Sequence, residues 1–163
     1  MNRTPARCLI LACGNTLRGD DGVGLFLAGW AERRFAELPS VRVIARQQWT
    51  PELAEEVAHA QSVLFIDCAV DSLPGSLLLI PVNPAFDNQG LATHHQGAAE
   101  LLALGRELYD SLPQNAQLLT IGAGSTELSE EFSAEVTAAL PEARHLIEKT
   151  VLSLLNSQEI PHG

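Results

Sequence analysis

Leu9-Ile10-Leu11-Ala12-Cys13-Gly14-Asn15-Thr16-Leu17-Arg18-Gly19-Asp20-Asp21-Gly22-Val23-Gly24 is the stretch on which the reading of this chain turns. The run from Cys8 to Cys13 is apolar without alternation, the mark of a strand covered on both faces, as in a parallel sheet. Gly14 ends it and a polar loop follows. From Asp21 to Leu38 the side chains Val23, Phe26, Leu27, Trp30, Ala31 and Phe35 recur at helical spacing, with Glu32, Arg33 and Arg34 clustered opposite. A buried strand, a loop and an amphipathic helix make the first half of a βαβ unit. The loop carries two acids at a strand-to-helix turn, where open α/β sheets bind ligands. Phosphates at such turns require backbone amides and cations. Asp20 and Asp21 therefore point to a cation, a metal centre or proton transfer.

Outward from this unit the pattern repeats. Val41 to Ala45 reads as a second strand. Thr50-Pro51-Glu52 opens a helix running to about His59, with a threonine cap, proline at the first position and an acid at the positive end of the dipole. Ser62 to Cys68 is a third strand, apolar until Asp67. After the turn Asp71-Ser72-Leu73-Pro74-Gly75, Ser76 to Val82 is a fourth. The connection of about six residues is too short for a parallel crossover, so strand four runs antiparallel, most simply as a hairpin partner of strand three. Helical spacing returns from about His94 to Tyr109, and Ala116 to Gly122 is a fifth strand. Leu128 to Leu155 reads as two helices broken near Pro141, and the polar tail from about Asn156 is expected to fray. The expected fold is an α/β three-layer sandwich, formed as one domain over residues 1–163. Its five-stranded sheet is mostly parallel with one antiparallel strand, and helices cover both faces.

Composition narrows the function. A hydrophobic share of 46% with 18% charged residues suits a folded domain and not a disordered one. A formal net charge of −10 argues against binding to nucleic acid or to an anionic membrane, each of which requires a basic face. The three cysteines, Cys8, Cys13 and Cys68, lie in apolar runs without a Cys-x-x-Cys pair, as reduced cytoplasmic thiols do. No apolar run approaches the ~20 residues of a membrane span, and no signal-peptide pattern precedes the first strand. A cytoplasmic protein is expected.

Polar clusters stand where strands end. Asp20 and Asp21 follow strand one, Asp67 closes strand three, and His94 and His95 open a helix after a long loop. Neighbouring strands one and three would bring Asp21 and Asp67 to one crevice. An antiparallel strand four descends about 23 Å. The loop from Asn83 to Thr93 extends to about 36 Å, so a return of the histidines to the crevice is allowed, though not required. Two carboxylates and an imidazole form a ligand set for a divalent transition metal. On helix grounds Asp20 is expected to be an N-cap. His59, His145 and His162 lie on helix faces or in the tail, and Arg18 reads as a surface charge. There is no Gly-x-Ser-x-Gly elbow and no P-loop lysine, and neither Cys13 nor Cys68 has a basic neighbour in sequence.

The opening stretch, together with Leu64-Phe65-Ile66-Asp67-Cys68-Ala69 and Thr93-His94-His95-Gln96-Gly97-Ala98-Ala99-Glu100-Leu101-Leu102, resembles the hydrogenase maturation endopeptidases. These trim the C-terminus of the large subunit of nickel–iron hydrogenases in the cytoplasm. The resemblance implies an endopeptidase whose metal-recognising residues are Asp21, Asp67 and His94, with His95 one register away as the alternative. The nickel would arrive inside the substrate, the large-subunit precursor, and would not be a resident cofactor, although a divalent ion could occupy the site in vitro. A monomer is expected, and either Asp21 or Asp67 could serve as general base. Two other readings fit the residues. One is a metallohydrolase or amidase that keeps its own divalent ion. The other is a receiver-like signalling domain, which also pairs acids after strand one with an aspartate ending strand three.

Overall fold

In this computed structural model the described residues are 6–86 and 93–157, with Thr93 and His94 described through their backbone alone. The apolar runs pair as a five-stranded sheet. Strands β1 (Cys8–Cys13), β2 (Val41–Arg46), β3 (Ser62–Ala69) and β5 (Asn115–Gly122) are parallel, and β4 (Leu77–Pro81) runs antiparallel on β5. The spatial order is β2-β1-β3-β5-β4. Helices α1 (Val23–Arg34) and α4 (Ala134–Ser157) cover one face, and α2 (Ala54–His59) and α3 (Thr93–Tyr109) cover the other.

Alternation along the central strands assigns each side chain to a layer. Ile10, Ala12, Leu64 and Ile66 pack with Val23 and Leu27 of α1 and with Val136 and Ile147 of α4. Leu9, Leu11, Val63 and Phe65 pack with Val57 of α2 and with Ala98 and Leu102 of α3. All of these are buried, which is why β1 and β3 read as unbroken apolar runs. The expected three-layer α/β architecture is the one observed.

Four details differ from the sequence reading. First, β4 pairs with β5, not as a hairpin with β3. β3 is flanked by β1 and β5, and β4 is half-exposed and ends in Pro81, which lacks an N–H and suits an edge. The turn before β4 is held by the Gly75 N–H on the Gly122 carbonyl at 2.8 Å, and Gly122 returns its own N–H to Ser76 at 2.8 Å.

Second, residues 134–157 form one helix that continues through Pro141. Pro141 and Thr137 are both on the solvent side, so water can take the carbonyl that proline leaves without a donor. The buried stripe Val136, Leu140, Ala143, Ile147 and Val151 is uninterrupted. Third, residues 128–133 are an irregular loop and not helix. Fourth, neither Asp20 nor Thr50 caps its own helix: the turns Gly19–Gly22 and Pro51–Leu53 are 3₁₀, without a side-chain cap bond. An antiparallel β4 also departs from the all-parallel 2-1-3-4-5 order of receiver domains, which removes that reading.

Candidate active site

The site lies at the C-terminal edge of β1 and β3, where α1 comes unusually close to the sheet. A Cβ on Gly24 would stand 2.6 Å from the Cys13 carbonyl oxygen, so only glycine permits this approach. Gly14, at φ +154°, turns the chain out of β1, and a Cβ there would meet the Asp21 carbonyl oxygen at 2.1 Å. The loop between them is braced from within. Asn15 accepts the Leu17 N–H on its side-chain oxygen at 2.9 Å, and its own N–H donates to Asp21 Oδ2 at 2.9 Å. That single bond orients the Asp21 carboxylate and leaves it facing a cleft of about 340 Å³. Arg18, Gln47, Gln48, Val70 and Thr126 also line the cleft.

Asp67 is half-buried near the end of β3. Strand alternation turns it to the α3 side with Val63 and Phe65. Its Oδ1 accepts the Cys68 N–H at 2.7 Å, and the Cys13 thiol donates to it from the adjacent strand. Burial pushes its carboxyl up to about 6. The Cys68 amide and the Cys13 thiol pull it down, and the nearby Asp21 charge adds to the rise. Asp21 and Asp67 are therefore within electrostatic reach of each other. Two carboxylates that repel one another, one of them half-buried, would both gain from a cation placed between them.

The described backbone brings the start of α3 to the same edge. The Gln114 N–H donates to the Gln61 carbonyl and the Ser111 hydroxyl to that of Ala58, so α3 ends at the opposite edge, where β3 and β5 begin. Its 17 residues rise about 25 Å, the height of the layer. Its first turn packs near Trp49, the ring of which stands 3.4 Å from a Cβ built on Gly97. The His94 side chain lies outside the described residues, so the full ligand set is outside them too. Among the described residues no group of three or more His, Cys, Asp or Glu side chains stands ready to hold a metal. His95 is half-buried in the first turn of α3. His59 stacks on Tyr109 at 5.5 Å between ring centroids, and His145 is exposed on α4.

Asp20 has a different task from its neighbour. It is fully buried (0% exposed) and takes the N–H groups of Gly124 at 2.6 Å, Ser125 at 3.0 Å and Ser133 at 2.7 Å, with the Ser133 hydroxyl at 2.7 Å. Burial alone would raise its carboxyl; the Ser133 amide and hydroxyl, with the Ser125 and Gly124 amides, outweigh it and hold the group below its ordinary range. One acid of the pair thus faces the cleft, and the other pins the β5–α4 loop against the β1–α1 loop. Sequence reasoning found the acids but not the division of labour, because the three amides come from segments about a hundred residues away. It also missed Gln47 and Gln48, whose only signal is their place just after β2.

Burial disfavours the thiolate form of the cysteines beside the site. Burial pushes Cys68 to about 12, with the charges of Asp21, Asp67 and Asp20 adding to it. Burial and the neighbouring Asp67 raise Cys13 as well. All three cysteines are free and buried. No described helix is long and apolar enough to cross a membrane.

No protein-family model and no curated protein matches the chain. Solved structures do. The hydrogenase maturating endopeptidase HybD from E. coli shares the fold, with a TM-score of 0.72 at 21% identity over 94% of each chain. The [NiFe] hydrogenase maturation protease HybD from Thermococcus kodakarensis aligns with a TM-score of 0.67 at 28% identity, over 88% of this chain and 98% of its own. HycI from the same organism, also a [NiFe] hydrogenase maturation protease, gives 0.62 at 26% over 93% of each chain. About nine-tenths of the chain shares one topology with these enzymes, and about a quarter of its residues are identical to those of the two Thermococcus proteases, so the chain is similar over most of its length to the hydrogenase maturation endopeptidases.

Proposed function

We propose that the protein removes the C-terminal extension of a nickel–iron hydrogenase large-subunit precursor once nickel is in place, reading that nickel through Asp21, Asp67 and His94. The observation that carries this reading is the carboxylate pair beyond the C-terminal ends of β1 and β3, with Asp21 of the β1–α1 loop opening on the cleft and Asp67, near the end of β3, within reach of its charge. The similarity to hydrogenase maturation proteases supplies the substrate class. In physical terms the site is a checkpoint. Without a cation the two acids repel and hold nothing; a nickel carried in by the precursor relieves the repulsion and draws the adjoining peptide into the cleft. Water attacking the scissile carbonyl needs a base, and Asp21, which lines the cleft, or Asp67 at the end of β3 would serve as one.

The experiment is to incubate the protein with nickel-loaded and nickel-free precursor and to weigh the products by mass spectrometry. Trimming of the loaded form alone is expected. Trimming of both forms, or of neither, overturns the reading. Metal analysis of the purified protein separates a resident-metal hydrolase: a stoichiometric ion that survives chelator favours that alternative.

A further inference from the structure

Val70, which lines the cleft, is 71% exposed, and the loops around the cleft carry further exposed apolar side chains: Leu73 at 79%, Leu128 at 77% and Leu17 at 56%. Single exposed leucines are ordinary on a protein surface, whereas several on one edge mark a contact. These come from three loops that meet. Val70 lines the cleft beside Asp21 and Thr126. The Ser129 N–H donates to the Leu17 carbonyl at 3.0 Å, which sets Leu128 next to Leu17. The turn that carries Leu73 is tied to the end of β5 by the Gly75 N–H on Gly122. The same loops carry exposed acids: Asp71 beside Val70, and Glu127, Glu130 and Glu131 around Leu128. Arg18 is the cation of the cleft wall.

We infer that this apolar and acidic rim is the docking surface for a basic segment of the precursor polypeptide, one with apolar side chains among lysines or arginines. The inference rests on the proposed function, because continuity with the cleft makes the occupant the chain being cut. The sign of the occupant follows from charge. A rim bearing Asp71, Glu127, Glu130 and Glu131, on a chain of net charge −10, attracts a positive segment and repels a negative one. Its apolar character follows from Leu73, Leu128 and Val70, which gain when hydrocarbon of the docked segment covers them. Amide side chains at Asn15, Gln47 and Gln48 offer both donors and acceptors to a peptide backbone lying in the cleft.

The test uses two variants away from the proposed metal-recognising residues, the triple Glu127→Gln, Glu130→Gln, Glu131→Gln and the double Leu73→Ser, Leu128→Ser. Each is assayed with nickel-loaded precursor for cleavage kinetics and, separately, for equilibrium binding over a range of salt. Each variant is expected to raise KM about fivefold or more with kcat retained, and the triple variant to flatten the salt dependence of binding. Cleavage by the unaltered protein with KM unchanged in both variants overturns the docking surface and leaves the proposed function standing. Salt-dependent binding that the variants lose, without any cleavage by the unaltered protein, does the reverse. Absence of both binding and cleavage overturns both.

Discussion

Replacing Asp67 by asparagine is expected to stabilise the metal-free protein at neutral pH while ending its activity. In the folded chain the Asp67 carboxyl is raised from 3.8 to about 6, chiefly by burial. A carboxyl raised on folding lowers stability only where the unfolded chain has lost its proton: the cost is absent below about pH 4, grows through the window up to about pH 6, and is constant above it. At 1.36 kcal/mol per pKa step the full cost is about 3 kcal/mol. Asparagine removes the charge and keeps an oxygen for the Cys68 N–H, but its amide serves the Cys13 thiol less well. The net gain at about pH 7.5 is therefore set at about 1–3 kcal/mol, a rise in Tm of several degrees in a chain of this size. Urea unfolding of both proteins in chelator, from about pH 4 to about pH 7.5, reads the difference directly. A variant less stable than the original at neutral pH, or a gap that does not change across that window, would refute the reasoning.

The neighbouring acid has the opposite sign. Asp20→Ala leaves three partly buried N–H groups without their acceptor and should cost about 2 kcal/mol or more in urea unfolding. Because the Asp20 carboxyl is held below its ordinary range, its contribution is complete above about pH 4 and is lost as pH falls through the depressed folded value; circular dichroism in acid should show the unaltered protein losing this stability and the variant having none to lose. Cys8, raised to about 11, Cys68, raised to about 12, and Cys13, raised as well, should resist a thiol reagent at neutral pH and react promptly in denaturant; fast reaction of the native protein would contradict their burial as neutral thiols. Gly14→Ala sets a methyl 2.1 Å from the Asp21 carbonyl oxygen and should lower stability by about 2 kcal/mol or more and slow cleavage, checked by melting and by precursor trimming.

What the sequence displays of all this follows from where the forces act. β1 and β3 are buried on both faces, so their apolar runs declare a central parallel pair, and the acids at their ends declare the edge that carries the site. The partner of β4 is not written in its own residues. It depends on β1 and β5 already flanking β3, a competition between strands that no local pattern records. The continuity of α4 through Pro141 likewise depends on which side of the helix meets solvent. Asp21 and Asp20 are adjacent and alike in sequence. Their separation into a cleft-facing carboxylate and a buried anchor comes from Asn15 on one side and from Gly124, Ser125 and Ser133 on the other. Only the first of these partners is close enough along the chain to be seen.

The claim at the centre is that Asp21 and Asp67 recognise the metal inside the precursor and not the polypeptide alone. The direct measurement is the affinity of the protein for nickel-loaded and nickel-free precursor, compared with that of an Asp21→Asn, Asp67→Asn variant. The unaltered protein should prefer the loaded form and the variant should bind both forms alike. A variant that retains the preference would show that the nickel is read elsewhere.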